Sequence, residues 1–551
     1  MKDKLSYEPE YHLKKVAELR ADSGFWKGMN PFVSIFSKIA VLSLVMFAII
    51  QKDKASGLFS SANNAILSGF KWWYIGLVAC LLLIVLWLAI SKYGNIRLGA
   101  DNEKPEFSYF SWFSMLFGCG MGIGLLFWAV AEPIYHMQSN PWIGGTTGIA
   151  ASSPEAAEIA LQLTFFHWGL HPWAIYSLVG LSLAYFSYRR NLPLSMRSSM
   201  YPLIGDKIYG PIGHAVDILA IFATLFGVAT SLALGAQQLA AGAYELTGID
   251  FFFDHTLGTV STKASVFLIA LITILATASV VSGLNKGIRI LSKMNLILSF
   301  VFIGLLFFYG PTRYIIQFFM QSTGKYIGNI IPFSFWSDAN SLDPSDWQAS
   351  WTAFYWAWWL AWSPFVGMFI ARISRGRSIR EFICGVLLVP TLMGFVWLTV
   401  IGGTALNIEL FQGGGITEAV NKDVTSALFS MLDKLPVFGG IGSSAVSAFL
   451  SLTAVILVMT YFVTSSDSAT LVVNTIISVG NDNIPLSHRI IWGLSEGMVA
   501  IVLLSIGGTA AIKAMQTASI VSAFPFSIVI AFMVWSLLKS IRQEKIPGYE
   551  A

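Results

Sequence analysis

Apolar segments long enough to cross a lipid bilayer recur along the whole chain, and they restrict its fold more than any other feature. A helix needs about 20 apolar residues to span the hydrocarbon layer. Twelve segments meet this criterion: residues 29–50, 72–91, 107–133, 156–187, 212–246, 264–283, 286–309, 350–373, 379–403, 441–478, 488–507 and 516–539. We therefore predict an all-α, polytopic membrane protein with twelve transmembrane helices.

The composition agrees with lipid as the main surroundings of the folded chain. Only 12% of the 551 residues are charged, whereas soluble domains carry about 25%. The net charge of +4 is too small to favour a nucleic-acid partner, so we expect membrane lipids and no nucleic acid around the protein. The pattern predicts one transmembrane domain, residues 29–539, between a polar tail at 1–28 and a short tail at 540–551.

Lys and Arg residues predict the orientation of the segments, because basic residues near the ends of spans are retained in the cytoplasm. The N-terminal tail, the loops after even-numbered segments and the C-terminal tail hold most of them. We therefore expect both termini on the cytoplasmic side. The densest cluster is interpreted as a topology signal in contact with lipid headgroups; it comprises Arg372, Arg375, Arg377 and Arg380.

Glycine occupies alternate positions in the middle of the third segment, at Gly118, Gly120, Gly122 and Gly124. Each glycine weakens a helix by about 1 kcal/mol relative to alanine, and an unwound stretch at membrane depth is tolerated only where it lines a cavity or is buried in protein. Freed N–H groups can hold a carboxylate, and freed carbonyls can hold a cation. Close helix packing through small residues explains the same glycines equally well.

Aromatic residues favour the binding interpretation of that stretch. One stripe runs at helical spacing through the eighth segment: Trp351, Tyr355, Trp358 and Trp362. A second surface lies on the fourth segment, which we expect to bend at Pro172: Trp168, Trp173 and Tyr176. Facing aromatic walls attract a quaternary ammonium group by about 2 kcal/mol when it is desolvated, although aromatic helix packing is the alternative. Together with the glycine turn, the rings predict a zwitterionic ligand such as a betaine.

Several motifs resemble those of the betaine/carnitine/choline transporter family. They are GMGIG at 120–124, FWAVAEP at 127–133, FHWGLHPW at 166–173, WTAFYWAWWLAWSPF at 351–365, ARISRGRSIREF at 371–382 and TSSDS at 464–468. The resemblance implies a secondary transporter of the bacterial inner membrane with twelve spans. Spans three to twelve would form two inverted five-helix repeats of the LeuT type, and the protein would be a homotrimer.

Carried over by motif, the resemblance implies a substrate site in two parts. The aromatic box would be Trp168, Trp173, Tyr176 and Trp359, with Phe354, Trp358 and Trp362 along the path. The glycine turn beside it would be Gly120, Met121, Gly122, Ile123 and Gly124. Choline-accepting members tend to carry Asp in place of Gly124. The resemblance therefore favours a substrate with its own carboxylate, such as glycine betaine, carnitine or the sulfonium compound dimethylsulfoniopropionate.

The same resemblance implies sodium as the coupling ion and no other cofactor. The matching sodium ligands would be Gly118, Met121, Tyr461, Thr464 and Ser465. The Thr464 and Ser465 hydroxyls could instead bond to their own helix. A second sodium site would use Thr224 and Phe365, although Val228 replaces the matching hydroxyl there. Sodium-independent exchangers carry arginine at the position of Asn295 and methionine at that of Val366, so both positions favour a symporter.

Other ionisable residues keep alternatives open. Glu132 and Asp467 are intramembrane carboxylates, which leaves proton-coupled symport as an alternative; sodium-independent exchange of carnitine- or choline-like substrates is another. His167 and His171 have no third metal ligand nearby and are interpreted as packing or hydrogen-bonding residues. A membrane-embedded enzyme would need a nucleophile with an adjacent base or a closed ligand set, and neither is evident. A channel would need a continuous polar path.

Overall fold

Helices form almost all of the regular structure. The computed structural model describes residues 7–120, 122–144, 147–281, 285–339, 346–435, 443–481, 484–507 and 511–544. The α-helices are α1 (Pro9–Leu19), α2 (Pro31–Ile50), α3 (Lys52–Ile90), α4 (Tyr109–Gly120), α5 (Ile123–Gln138), α6 (Pro154–Trp168), α7 (Leu170–Ala184), α8 (Tyr201–Ile204), α9 (Pro211–Thr247), α10 (Thr262–Val281), α11 (Asn285–Tyr309), α12 (Thr312–Phe335), α13 (Phe354–Arg372), α14 (Ile379–Phe411), α15 (Ile416–Lys422), α16 (Ala427–Asp433), α17 (Ser443–Ile477), α18 (Leu486–Gly507) and α19 (Ala511–Ile541).

Shorter elements lie in the connections. Five 3-10 turns occur at Lys92–Asn95, Met196–Met200, Gly205–Tyr209, Asp250–Phe252 and Val424–Ser426, and π-helical turns at Tyr185–Arg189 and Ala349–Ala353. A small hairpin pairs β1 (Phe253–Asp254) with the antiparallel β2 (Thr259–Val260). These elements are too short to contribute a second layer, so the architecture is a helical bundle.

Each predicted transmembrane segment coincides with a helix or with two consecutive half-helices. The third segment is divided into α4 and α5, and the fourth into α6 and α7. In the described part of the chain, eight helices are long and apolar enough to cross a membrane on their own: α2, α3, α9, α11, α14, α17, α18 and α19. The protein is therefore a multi-pass, all-α membrane protein.

Two helices run beyond the segments predicted for them. α3 has 39 residues and is about 58 Å long at 1.5 Å per residue, because its first half contains no proline to end the helix. α14 continues past position 403 to Phe411. Gly413, Gly414 and Gly415 follow with φ angles of 96°, 71° and 88°, in the left-handed region that ends helices. Helix ends here depend on local backbone chemistry more than on hydropathy.

α9 lies at the centre of the bundle and α2 at its edge. In the most apolar 18-residue stretch of α9, 83% of the residues are buried, compared with 33% in the corresponding stretch of α2. α9 packs against α13, α17 and α19, and α13 packs in turn against α7. α5 packs against α6. The two interrupted segments are thus held close to the aromatic helix α13 in the bundle interior.

Two arginines of the cluster around the connection between α13 and α14 bind the protein's own carbonyls. The Arg380 guanidinium donates to the carbonyls of Ala89 and Ser91 at the end of α3, at 2.7 and 3.0 Å. It also donates to Asn95 Oδ1 at 2.8 Å. Arg377 is buried and donates to a backbone carbonyl at 2.7 Å. Basic side chains that satisfy the last carbonyls of a helix stabilise its end.

Both tails are attached to the same end of the bundle. In the N-terminal tail, Arg20 Nε donates to the Ser478 carbonyl at 2.8 Å, just after α17. In the C-terminal tail, Glu544 pairs with Arg189 at 3.1 Å, just after α7. The topology prediction places both of these connections on one side of the membrane.

The Arg380 contacts predict a specific loss of stability. Arg380→Met keeps the aliphatic part of the side chain but leaves the end of α3 without its donors. We expect the free energy of unfolding to fall by about 1–3 kcal/mol, since the hydrogen bonds are charge-assisted. Thermal unfolding of the detergent-solubilised protein, followed by tryptophan fluorescence, measures the change. Arg313→Met, at an exposed arginine of α12, is the control, and equal melting temperatures for the two variants would contradict the capping role.

Candidate functional site

The third predicted segment unwinds at its glycine run. α4 ends at Gly120, and α5 begins at Ile123. Between them Gly122 has φ −156° and ψ −178°, so its backbone is extended. Met121 lies outside the described residues, and Gly118 is exposed two positions before the end of α4. The first N–H groups of α5 consequently lack helical acceptors, and the positive end of the α5 dipole points into the break.

Gly169 interrupts the fourth segment, three residues before the bend predicted at Pro172. α6 ends directly before Gly169, whose φ and ψ are −95° and −126°, and α7 begins directly after it. A Cβ atom at this position would lie 2.5 Å from the Phe165 carbonyl oxygen, so the break requires glycine. Pro172 lies in the first turn of α7, where a missing N–H costs no helical hydrogen bond. Proline therefore follows the break and does not cause it.

A cavity lies beside these two breaks and α13. Its lining residues are Gly122, Gly124, Leu125, Trp168, Pro172, Trp173, Tyr176, Ser231, Trp358, Trp359, Trp362, Val366, Pro390, Met393 and Gly394. We call this space the aromatic cavity. Most of the residues predicted for the aromatic box and its path share this one space with two glycines of the turn.

Among the predicted substrate-site residues whose surroundings the structure describes, Ile123 and Phe354 lie outside the lining of the aromatic cavity. Ile123 is 1% exposed and packs towards α9, since a Cβ atom at Gly235 would lie 2.9 Å from Ile123 Cγ2. The Phe354 ring stacks on the Trp358 ring, with centroids 5.4 Å apart and planes at 21°. Phe354 therefore supports a wall of the cavity from one turn away.

One wall of the cavity was missed by the sequence analysis. It is formed by Pro390, Met393 and Gly394 of α14, with Leu125 and Ser231 lining other parts. Pro390 lies within α14, where proline removes a helical hydrogen bond. A mid-helix proline followed one turn later by glycine was the available signal, because it marks a helix surface that a neighbour or ligand can approach closely.

Four of the five tryptophans that line the cavity donate their indole N–H group to a protein acceptor. The four bonds are Trp168 Nε1 to Glu132 Oε2 (2.7 Å), Trp359 Nε1 to the His167 carbonyl (2.9 Å), and Trp358 Nε1 and Trp362 Nε1 to the Gly227 carbonyl (3.3 and 2.8 Å). Gly227 is itself tightly packed, since a Cβ atom there would lie 2.8 Å from Trp362 Cδ1. Because the N–H edges are satisfied, the rings have fixed orientations and their faces are available for contact.

The rings meet in both stacked and edge-to-face arrangements. Trp358 and Trp359 stack with centroids 4.9 Å apart and planes at 11°. Trp168 meets Trp359 edge-to-face at 4.9 Å and 68°. Trp173 and Tyr176 form a further edge-to-face pair at 5.4 Å. Ring faces carry the negative part of the aromatic quadrupole, so a bulky cation in the cavity can contact several of them.

Gly124 provides close contact between α5 and the aromatic walls. A Cβ atom at position 124 would lie 2.7 Å from Trp358 Cη2 and 3.1 Å from Trp168 Cη2. Any side chain here would force these rings to move. The absence of a carboxylate at this position therefore has a steric reason as well as the electrostatic one considered from the sequence.

Glu132 is buried behind the Trp168 ring. Its carboxylate is completely inaccessible to solvent and accepts hydrogen bonds from Trp168 Nε1 at 2.7 Å and from the Tyr355 hydroxyl. His167 Nδ1 lies 2.7 Å from the other oxygen, Oε1. Glu132 therefore holds two residues of the aromatic region in place while remaining itself outside the cavity lining.

His167 is grouped with Glu132 and His136, and not with His171. Ligand atoms of Glu132, His136 and His167 all lie within 4.8 Å of one another, and His136 Nε2 is 3.3 Å from Glu132 Oε1. His171 instead bonds through Nε2 to Ser334 Oγ at 2.8 Å. The two partners of His167, which were not apparent from the sequence, both come from α5, which is separate in sequence but adjacent in space.

Three residues of the first sodium prediction, Tyr461, Thr464 and Ser465, lie on α17, whereas Gly118 lies on α4 and Met121 is outside the described residues. The Thr464 hydroxyl donates to the Thr460 carbonyl at 3.0 Å, so it bonds to its own helix. Asn295 Nδ2 donates to the same hydroxyl oxygen at 3.4 Å. Asn295, which stands where sodium-independent exchangers carry arginine, therefore lies directly beside Thr464. Tyr461 is buried, and Ser465 is partly exposed.

The second sodium prediction falls on α9 and α13. Thr224 is completely buried, and its Oγ1 has no hydrogen-bond partner among the described residues. Phe365 is 7% exposed on the adjoining α13. An unpaired buried hydroxyl is costly, and a hard cation is a ligand that would satisfy this oxygen. Val228, one turn later, is fully buried and supplies no oxygen.

Comparison with known proteins agrees with this architecture. Residues 32–546 match the sequence profile of the BCCT, betaine/carnitine/choline family transporter. A probable glycine betaine transporter of Desulfitobacterium hafniense is 43% identical over 521 residues, which cover 95% of this chain and 99% of the relative. Glycine betaine transporter 1 of Vibrio parahaemolyticus is 42% identical over 521 residues, covering 94% of each chain.

A solved structure is also similar. It is a manganese transporter mutant of Eremococcus coleocola, with a TM-score of 0.41 and 15% sequence identity over 79% of this chain and 81% of that one. The sequence relatives and the matching profile cover nearly the whole chain. The protein is therefore a transporter, not an enzyme, and belongs to the betaine/carnitine/choline transporter family.

Proposed function

We propose that the protein imports a small zwitterionic onium compound, with glycine betaine as the first substrate to test, by symport with Na⁺. The single observation that carries this proposal is the aromatic cavity, in which indole faces and a helix break share one space. The relatives described as glycine betaine transporters support the substrate class. Carnitine and dimethylsulfoniopropionate carry the same pair of charges and are further substrates to test.

The two ends of such a substrate have different partners in the cavity. The onium group fits against the faces of Trp168, Trp358 and Trp359, where cation–π attraction is strong because water is largely excluded. The carboxylate fits near Gly122 and Gly124, close to the start of α5, where free N–H groups and the helix dipole favour negative charge. Binding both ends would select zwitterions over simple cations.

Na⁺ is proposed as the co-transported substrate at two places. Thr464, Ser465 and the backbone near Gly118 offer neutral oxygens, and the unpaired Thr224 hydroxyl offers another. Asn295, a neutral residue, lies beside Thr464, so no fixed positive charge occupies that place.

Proton coupling is the second candidate, and it is favoured by the completely buried Glu132 with its two histidine neighbours.

We extend the proposal to the arrangement in the membrane. Twelve spans, with spans three to twelve as two inverted repeats, would place the aromatic cavity near the bilayer midplane and let the first two helices of each repeat rock. Both termini would face the cytoplasm of a bacterial inner membrane. The homotrimer implied by the motif resemblance is tested by the mass of the detergent-solubilised complex.

Trp359 provides the first test of the cavity. Trp359→Ala removes a ring that stacks on Trp358 and meets Trp168. We expect the substrate concentration for half-maximal uptake to rise roughly 30-fold, because a desolvated cation–π contact contributes about 2 kcal/mol. Proteoliposome uptake of labelled glycine betaine measures it. Trp72→Ala, at an α3 ring that is 62% exposed, is the control, and similar changes in both variants would argue against the cavity as the site.

Substitutions of Gly124 test whether the site requires a substrate that carries its own carboxylate. Gly124→Ala should weaken betaine uptake, since its Cβ atom presses on Trp358. Gly124→Asp adds the same clash together with a negative charge, so we expect it to admit choline, which lacks a carboxylate. Competition by unlabelled choline separates the two effects. A folded Asp variant that excludes choline as strictly as the Ala variant would refute the carboxylate argument.

The coupling ion is tested at α17. Thr464→Ala combined with Ser465→Ala should raise the Na⁺ concentration needed for half-maximal uptake by about tenfold or more, as expected for lost ion ligands. Thr453→Ala is the matched control, because the Thr453 hydroxyl bonds to the Phe449 carbonyl of its own helix at 2.8 Å. Uptake is measured with Na⁺, with K⁺ and with a proton gradient. Unchanged Na⁺ dependence rejects this ion site, and uptake driven by protons alone favours the second candidate.

A further inference from the structure

A second buried carboxylate lies in the transmembrane part, away from the aromatic cavity. Glu496, in the middle of α18, is 0% exposed. Its Oε2 accepts from Ser466 Oγ at 3.0 Å, and its Oε1 accepts from Thr470 Oγ1 at 3.2 Å. No Lys, Arg or His in the described ranges forms an ion pair with it. Neutral hydroxyl donors alone compensate a buried carboxylate poorly, so the charge of this group is neutralised either by a proton or by a bound cation.

Two further hydroxyls at this place have no partner. Thr273 and Thr277 of α10 are 4% and 8% exposed, and neither Oγ1 has a hydrogen-bond partner within the described part of the structure. Buried hydroxyls are normally hydrogen-bonded. Two unpaired ones on the same face of one helix, one turn apart, are therefore a sign that a ligand completes the site.

Glycines of α18 allow these hydroxyls to approach Glu496. A Cβ atom at Gly493 would lie 3.0 Å from Thr277 Oγ1 and 3.6 Å from Thr470 Oγ1. A Cβ atom at Gly497 would clash with Thr273 Oγ1. The helices α10, α17 and α18 therefore pack closely, and their oxygens converge on the part of α18 that carries Glu496.

We infer that Glu496 is the anionic ligand of a further Na⁺ site, completed by hydroxyl oxygens of α10 and α17. The four hydroxyls are those of Ser466, Thr470, Thr273 and Thr277. Carboxylate and hydroxyl oxygens are hard ligands that suit hard cations. One carboxylate is neutralised by one monovalent ion, whereas a divalent ion would leave a buried positive charge.

This site is separate from the one proposed at Thr464 and Ser465. Residues 464 and 466 are two positions apart on α17, which is about 200° of helical rotation. Thr464 accordingly faces Asn295 of α11, while Ser466 faces Glu496 of α18.

Direct Na⁺ binding tests the inference without any transport assay. Radioactive ²²Na⁺ binding to the purified full-length protein is measured by scintillation proximity in the absence of betaine. We expect Glu496→Gln to lose one bound Na⁺ per chain, and Thr273→Val with Thr277→Val to weaken Na⁺ binding about tenfold. Ser495→Ala is the matched control on α18, because its hydroxyl bonds to the Ile491 carbonyl of the same helix at 2.7 Å.

The variants separate this site from the others. Thr464→Ala with Ser465→Ala should remove a different Na⁺ and leave the Glu496 ion bound. Full Na⁺ stoichiometry and affinity in Glu496→Gln would overturn the inference, as would a buried proton detected at Glu496 with unchanged Na⁺ binding. If Glu496→Gln does not fold, the Thr273→Val and Thr277→Val pair gives the result, and unaltered Na⁺ affinity in that pair likewise overturns it.

Discussion

The structure depends on one constraint: backbone N–H and C=O groups in a bilayer must find partners inside the protein. Continuous helices meet it through their own hydrogen bonds, which is why nearly all of the chain is helical. The two interruptions, at Gly122 and Gly169, are permitted because both are enclosed by other helices. An open backbone next to a cavity between helices can offer its polar groups to a charged ligand that lipid could not stabilise.

The aromatic cavity depends on acceptors that lie behind its walls. Trp168 donates to Glu132, and Trp359 donates to the His167 carbonyl. Trp358 and Trp362 both donate to the Gly227 carbonyl. These bonds fix ring orientation before any ligand arrives. Preorganised rings lose little conformational freedom when they bind, so more of the cation–π attraction contributes to affinity. Under the proposed function, the buried Glu132 carboxylate would contribute to substrate binding by holding Trp168, although it does not line the cavity.

Sequence analysis predicted the parts of the structure that local chemistry determines. Apolar runs predicted the helices, and the spacing of glycines and indoles predicted most of the cavity lining. The sequence analysis could not predict contacts between segments that are distant in the sequence. Arg380 binding the end of α3, the Pro390 wall and the grouping of His167 with His136 all join residues from different helices. The sequence analysis placed the bend at Pro172, three residues after the break at Gly169, because proline is the more conspicuous helix breaker in a sequence.

The Gly227 carbonyl has a consequence for motion. One carbonyl oxygen on α9 accepts hydrogen bonds from both Trp358 and Trp362 of α13. If α13 separates from α9 during a transport cycle, both rings are released together. Opening of the cavity and weakening of substrate binding would then occur together, because both follow from loss of the hydrogen bonds to one carbonyl oxygen.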